Sequence, residues 1–309
     1  MKEIIIVMNP AAAGGRTGRS WPERAARLRA AGLDFDVALT GRRGHATEIA
    51  REAVREGRRL VVAAGGDGTI NEVANGFFEG AEPVGGRACL GVLPMGTGGD
   101  FRRSFGIPTD PEAAAAMLKR GLRRRLDVGR VRCTTADGLP VSRLFVNIAS
   151  AGMGAEVVDR VERSGRLAGG EATFLLATVA TGLRWRNKRI RAVLDGREHQ
   201  VVARQVVVAN CRYYGGGMHI APPARPDDGR LDVIVVGDLG VLEGARALRK
   251  FRQGTHLQRG GPKIWHALAR EIELSTPDEA VRLEIDGERP GQLPAEFDVL
   301  PHALELVVP

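Results

Sequence analysis

The sequence predicts an α/β fold in two parts: an N-terminal doubly wound, mostly parallel sheet and a second domain built on antiparallel β-sheet. Three observations carry this. Apolar runs alternate with helical patterns over the first third of the chain, and glycine-rich turns follow three of those runs. Beyond about residue 125 helices become scarce and β-branched runs separated by Asp-Gly turns take over. Strand–helix alternation implies crossover connections and a sheet covered on both faces, whereas strands joined at tight turns pair antiparallel. The expected domains are residues 1–125 and 126–309, with the C-terminal segment a candidate to pack back on the first domain, and the active site is expected in the cleft between them.

Taken in order, residues 3–8 read as a first buried strand. Ser20, Pro22 and Glu23 read as a helix start with a capping box, ending at Gly32. Residues 34–39 form the second expected strand, 45–57 a helix with Ile49, Ala50, Ala53 and Val54 on one face, 60–64 the third strand, 69–78 a helix and 89–93 the fourth strand. Asp110-Pro111-Glu112 opens a further helix that stops at Gly121. In the second part, residues 144–149, 190–194, 205–209, 231–236, 272–274, 281–285 and 304–308 read as strands, and 171–185 and 240–252 as helices. Asp195-Gly196, Asp228-Gly229 and Asp286-Gly287 are turn dipeptides.

Composition narrows the function classes. The 309 residues carry 45 Lys and Arg against 37 Asp and Glu, a formal net charge of +8, which favours an anionic partner. Cys89, Cys133 and Cys211 are far apart without CxxC spacing, which argues against disulfides and zinc and fits a reducing cytoplasm. The six histidines form no metalloprotease pair. The longest strongly apolar helical stretch, residues 174–183, is far below the ~20 residues needed to span a bilayer.

The glycine turns carry the chemistry. They are Asn9-Pro10-Ala11-Ala12-Ala13-Gly14-Gly15-Arg16, Gly65-Gly66-Asp67-Gly68-Thr69, and Pro94-Met95-Gly96-Thr97-Gly98-Gly99-Asp100. A Walker loop is imitated at Gly14–Ser20, but one residue short and without the lysine, and no GxGxxG follows the first strand. All three turns follow strands of the parallel sheet, so they project from its carboxyl edge toward one crevice. Glycine lets backbone approach phosphate closely, and helix N-termini present N–H groups to it. Arg16 and Arg19 can add charge-assisted bonds, and Thr69 and Thr97 hydroxyls.

These residues resemble a known family. GGDGTINEVANG over Gly65–Gly76, then PMGTGGDF and Phe105-Gly106-Ile107-Pro108, are similar to the diacylglycerol kinase catalytic family, which includes bacterial lipid kinases and the sphingosine and ceramide kinases. Later landmarks are Leu126-Asp127-Val128-Gly129, Asn147–Gly152, Asp227-Asp228-Gly229 and Ile285-Asp286-Gly287-Glu288. The first loop departs from the family's NPxSG, and the third ends Gly99-Asp100 where Asn-Asp is usual. The resemblance implies an ATP site lined by Asn9, Arg16, Thr40, Gly65, Gly66, Asp67, Gly68, Thr69, Ile70, Asn71, Gly96 and Thr97. It implies a catalytic Mg²⁺ organised by Asp67, Asp100 and Asp127, and a structural Mg²⁺ on Asp228 with the carbonyls of Arg225 and Arg230. It assigns Asp286, or Glu288 beside it, as base or orienting group for a lipid hydroxyl. The activity implied is Mg²⁺-dependent transfer of the ATP γ-phosphoryl group to a diacylglycerol-like lipid. The alternatives are an NAD kinase, which shares GGDGT, and a catalytically silent nucleotide- or lipid-binding regulator.

Basic segments bear on partners. Residues 102–130 hold eight Arg or Lys against three acids, and Arg184-Trp185-Arg186-Asn187-Lys188-Arg189-Ile190-Arg191 holds five cations and no acid. Such a run with an aromatic suits an anionic membrane surface; a solvated surface is the competing reading. The expected partners are therefore a lipid at the membrane surface, contacted peripherally from the cytoplasm, with no nucleic acid and with a homodimer left open. Phe174-Leu175-Leu176 is the expected lining of a lipid channel, against the alternative of ordinary core.

Overall fold

Runs of small and branched aliphatic residues build the first sheet, and two of its strands are buried from end to end. In the computed structural model, which describes residues 2–163, 170–258 and 263–309, the elements run β1 (Ile4–Met8), α1 (Arg16–Ala30), β2 (Asp36–Leu39), α2 (His45–Arg55), β3 (Leu60–Gly65) and α3 (Asp67–Asn75). A small hairpin follows, β4 (Phe78–Glu79) with β5 (Glu82–Pro83), then β6 (Cys89–Pro94), α4 (Asp100–Phe105) and α5 (Pro111–Arg120). The sheet order is β2-β1-β3-β6, parallel throughout, with Ile6 opposite Val37 and Val62, and Ala63 opposite Val92. Every residue of β3 and β6 is buried, as expected of strands with both faces covered. Helix α1 packs on α5 and α2 on α3. Two compact units result, Met1–Leu126 with His302–Pro309, and Asp127–Pro301. The returning segment adds a parallel strand to the first unit, with Leu306 opposite Leu90.

Local signals set most helix ends. Asp110 Oδ2 accepts from Ala113 N at 3.0 Å, Pro111 holds the first position of α5, and Gly121 closes it at φ 65°. The first helix departs from the sequence reading. It starts at Arg16 straight after left-handed Gly15, so Ser20 lies inside it, donating to the Thr17 carbonyl, and Pro22 is interior. Gly18 reads as loop in the sequence but lies within this helix, packed closely on the first loop: a Cβ there would stand 3.1 Å from the Pro10 carbonyl oxygen.

The second unit contains β7 (Arg123–Thr134, entering at Asp127), β8 (Pro140–Phe145), β9 (Ile148–Gly152), α6 (Met153–Arg163), α7 (Gly170–Gly182), β10 (Lys188–Leu194), β11 (Arg197–Ala209), β12 (Leu231–Gly237), α8 (Val241–Gln253), β13 (Ile264–Ala269), β14 (Glu271–Ser275), β15 (Leu283–Ile285) and β16 (Gln292–Val307, to Pro301). The registered pairs are antiparallel: β7 with β8, β9 with β11 and β15, β10 with β11 and β14, β12 with β11 and β13, and β14 with β16. Asp195-Gly196 makes a two-residue hairpin turn, both residues at positive φ, between Leu194 and Arg197. Residues 144–149, read as one strand, are split: β8 ends at Phe145 and β9 starts at Ile148, with Val146 and Asn147 breaking the ladder between them. Helix α6 and strand β13 carried no clear sequence signal, and of β8 only its last two residues, Leu144 and Phe145, fall within an expected strand.

Candidate active site

The first-unit site is made where three parallel strands end. Asn9 N donates to the Ala64 carbonyl at 3.0 Å and Met95 N to the Gly65 carbonyl at 2.8 Å, tying the ends of β1, β3 and β6 together. Asn9 Nδ2 donates to Thr69 Oγ1 at 3.1 Å, and Thr17 Oγ1 donates to the Met95 carbonyl at 2.9 Å, so the first loop grips the second and third. Thr40 donates its N–H to the Met8 carbonyl at 2.9 Å, which places it on the same edge. The approach of the second and third loops demands glycine. A Cβ on Gly96 would lie 2.4 Å from Gly66 Cα, and one on Gly65 would lie 2.5 Å from Thr69 Oγ1.

Asp67 links these loops. Its Oδ1 accepts from Phe101 N at 3.0 Å and its Oδ2 from Asp100 N at 3.2 Å, so it caps α4 from another helix. A Cβ on Gly98 would lie 2.8 Å from Asp67 Oδ2 and 4.0 Å from Asp100 Oδ2, so both carboxylates face bare glycine backbone. Asp100 is buried, and Arg103 Nη1 stands 3.2 Å from its Oδ1. Gly68 is exposed at the start of α3, where first-turn N–H groups have no intrahelical acceptor. Arg16 and Arg19 are exposed and fold back toward the carbonyls of Ala13 and Gly14. Gly96 is exposed and Thr97 half-buried beside it. Ile70 is core, its N–H closing the first helical turn on the Gly66 carbonyl; Asn71 is buried and accepts from Asn75 Nδ2.

The remaining predicted residues lie in the second unit. Asp286 is 7% exposed and occupies a tight turn at φ 47°, with Gly287 at φ 88°. Its carboxylate accepts backbone N–H bonds from Val146 at 2.9 Å, Ile148 at 2.8 Å and Asn147 at 3.2 Å. The break between β8 and β9 therefore exists to aim three N–H groups at one carboxylate. Glu288, half-buried, closes that turn through its backbone, exchanging bonds with Ile285. Asp127 is fully buried. Its Oδ2 accepts from Gly229 N at 2.7 Å and its N–H donates to the Pro226 carbonyl, holding the loop that carries Asp228. Asp228 Oδ1 accepts from Arg230 N at 3.1 Å. Burial pushes the Asp228 pKa up, the Arg230 N–H opposes that, and the nearby Asp232 and Asp127 charges add to the rise.

Among the described residues no three His, Cys, Asp or Glu side chains converge on a point where they could hold a metal ion. Magnesium needs less, since it commonly takes one or two carboxylates with phosphate oxygens and waters. Asp67 and Asp100 around the Gly98 gap fit that donor set. Asn147, which opens the landmark Asn147–Gly152 and interrupts the apolar run at residues 144–149, had no role assigned from the sequence. Its side-chain Oδ1 is buried without a hydrogen-bond partner, while its Nδ2 donates to the Tyr213 carbonyl.

Glycine turns on the carboxyl edge of a parallel sheet, with a carboxylate bridging two of them, form the crevice in which α/β folds of this class hold phosphate-bearing ligands. Comparison with known proteins agrees. Residues 3–131 match the diacylglycerol kinase catalytic domain, and residues 147–308 match the YegS C-terminal NAD kinase beta sandwich-like domain. The chain is 29% identical over 308 residues to a diacylglycerol kinase of Staphylococcus carnosus, covering 100% of this chain and 95% of that one. It is 29% identical over 310 residues to a diacylglycerol kinase of Bacillus subtilis, covering 100% and 97%. A diacylglycerol kinase structure from Bacillus anthracis superposes with TM-score 0.71 at 22% identity, over 99% of this chain and 96% of that one. Yeast NADH kinase complexed with NADH superposes with TM-score 0.54 at 11% identity, over 100% and 84%. The two structures establish likeness of fold. This chain belongs to the diacylglycerol kinase catalytic-domain family, and is a kinase of that family.

Proposed function

We propose that the protein transfers the γ-phosphoryl group of ATP to the hydroxyl of a diacylglycerol-like lipid and requires Mg²⁺. The observation that carries this is Asp67, whose carboxylate bridges the second and third glycine turns while facing the gap at Gly98. In this reading the glycine backbone and the first turn of α3 hold the polyphosphate, and Arg16 and Arg19, exposed in the first turn of α1, exchange their bonds to the Ala13 and Gly14 carbonyls for bonds to it. Mg²⁺ supplies neutralisation of the phosphate charge when bound, and Asp67 with Asp100 would hold it. Asp286 orients the accepting hydroxyl; phosphoryl transfer needs little more than position and charge compensation. The names of the relatives support a lipid acceptor.

Peripheral membrane contact belongs to the same proposal. No helix among the described residues is long and apolar enough to cross a membrane. Leu176, Leu183 and Leu242 are 64%, 61% and 72% exposed in the second unit, and Arg184 and Arg186 are exposed beside Leu183. The basic run supplies less free charge than its composition implies. Lys188, Arg189 and Arg191 pair with Glu279, Asp278 and Glu198, and Trp185 packs against the Met153 cluster rather than facing outward.

The test is incubation with γ-labelled ATP and separate acceptors: diacylglycerol, monoacylglycerol, phosphatidylglycerol, a sphingoid base, an isoprenoid alcohol and NAD, each with Mg²⁺ or with chelator. Label should enter a lipid only with Mg²⁺. The Asp67→Ala variant should lose at least about a hundredfold in rate, the scale of removing one electrostatic element from such a site. Label on NAD and on no lipid, or an unaltered rate in the variant, sinks the reading.

A further inference from the structure

Helix α4 carries two adjacent arginines that meet different fates. Arg103 Nη1 reaches the Gly98 carbonyl and stands 3.2 Å from Asp100 Oδ1. Arg102 is half-buried, yet no carboxylate, carbonyl or ring among the described residues meets its guanidinium. An unpaired arginine commonly runs out to water and leaves only its stem on the protein. This one folds back by a helical turn onto the start of α4. A Cβ on Gly99 would lie 2.8 Å from Arg102 Nε, 3.3 Å from its Cδ and 3.4 Å from its Cγ. Gly99 is suited to its place twice over: its φ of 68° favours glycine, and the side chain it lacks is the room that Arg102 fills.

That course sets opposite charges against consecutive residues of the third loop. Gly98 faces the carboxylates of Asp67 and Asp100, and Gly99 faces Arg102. Consecutive Cα atoms stand ~3.8 Å apart, so Arg102 Nε and Asp67 Oδ2 lie within about 12 Å of each other. They nevertheless form no ion pair. Attracting charges held in one turn without touching leave a gap between them, and a phosphate group suits that gap. Its oxygens accept directly from the planar fork of the guanidinium, and they meet the carboxylates through the metal those residues would hold. Arg16 and Arg19 approach from the first loop, so Arg102 adds a cation from the third.

We propose that Arg102 is a phosphate-binding residue of the nucleotide site, acting on the terminal phosphates rather than on the nucleoside. The assignment rests on the kinase reading above and names a residue for it that the glycine motifs do not contain. Gly99 and Arg102 act as a unit, because a side chain at position 99 and the observed course of Arg102 exclude each other. Where the family usually carries asparagine at this place, the present chain brings in a guanidinium from one helical turn further on.

Titration calorimetry with ATP and with AMP, in Mg²⁺ and without lipid, reads this apart from phosphoryl transfer. Arg102→Gln keeps much of the stem and deletes the charge. It should weaken ATP binding about tenfold or more and AMP binding less than about threefold. Arg102→Lys keeps the charge without the fork and should fall between the wild type and Arg102→Gln. Gly99→Asn drives the guanidinium off its seat, and asparagine tolerates the backbone angle. It should weaken ATP binding at least about fivefold alone but less than about twofold further when added to Arg102→Gln. Arg102 makes no bond that α4 depends on, so thermal midpoints of the Arg102 variants should match the wild type. ATP affinity within threefold of wild type in Arg102→Gln overturns the assignment alone. So does an AMP loss equal to the ATP loss, or a Gly99→Asn effect undiminished in the Arg102→Gln background. A wild-type protein that binds no ATP overturns the kinase reading, and this assignment with it.

Discussion

The turn at Asp286 makes a quantitative prediction because two independent costs meet in one residue. Its carboxylate accepts three buried backbone N–H groups, and its φ of 47° lies in the left-handed region. In Asp286→Asn one oxygen survives and the other becomes an NH₂ that donates into donors. One or two buried N–H groups lose their acceptor, at ~1–3 kcal/mol each, so the expected loss is about 2–4 kcal/mol. Asn tolerates positive φ, so this variant isolates the hydrogen bonds. Asp286→Ala and Asp286→Gly both delete the carboxylate but differ in strain, and glycine should be the more stable by about 1 kcal/mol. Urea unfolding followed by circular dichroism, extrapolated to water, measures all three. An Asp286→Asn variant within about 0.5 kcal/mol of wild type would show that the three bonds do not hold the turn. An alanine variant as stable as the glycine variant would show that the φ angle carries no strain.

Other outcomes follow from the same geometry. Asp67→Asn keeps one acceptor for α4 and Asp67→Ala none, so thermal unfolding should fall less for Asn, by roughly half of the ~1 kcal/mol a helix cap contributes, while both lose phosphoryl transfer; activity retained in the Asn variant would remove the charge from the argument. Gly96→Ala puts a Cβ 2.4 Å from Gly66 Cα, backbone against backbone, and should cost about 1–3 kcal/mol and raise KM for ATP, read by calorimetry and initial rates. Burial and the Glu305 carboxylate push the Cys89 thiol up to about 11, so peptide mapping after iodoacetamide at pH 8 should find it labelled far more slowly in the folded protein than in urea. His256 and His219 are held below the ordinary imidazole pKa, first by burial, so the folded state disfavours their protonated forms. Stability should be full above about pH 6.5 and fall below it, by at most about 1.4 kcal/mol per pH unit for each group. Urea midpoints at pH 7.5 and 5.5 test this, and an unchanged slope in His256→Gln refutes the assignment to His256.

What the sequence made legible was local. The fully buried strands β3 and β6, the Asp110-Pro111 helix start and the Asp195-Gly196 hairpin each announce themselves within a few residues, because their cause lies within a few residues. The glycines of the three loops were legible too, but their reason was not. Gly96 is required by Gly66, thirty positions earlier, and Gly18 packs closely on Pro10 across a loop. The six residues of α4 are too few to show a period, and the helix is held from outside by Asp67. The basic run at residues 184–191 looked like free charge because its partners arrive from elsewhere in the chain, Asp278 and Glu279 from the loop between β14 and β15 and Glu198 from β11.

The two aspartates of greatest interest share a design that composition cannot display. Asp67 sits among glycines and Asp286 in a turn dipeptide, and each spends one side of its carboxylate on N–H groups of a distant break in regular structure: Asp100 and Phe101 for one, Val146 to Ile148 for the other. A carboxylate fixed in this way cannot swing, which is what placing a metal or a hydroxyl to within a fraction of an ångström demands. The same bonds make the residue structural. Removing it therefore disturbs position and stability together, and only a substitution that keeps the acceptor while deleting the charge separates them. That is why Asp67→Asn, set beside Asp67→Ala, is the more discriminating experiment: equal activity losses with unequal stability losses assign the chemistry to the charge, and losses that track each other assign it to the cap.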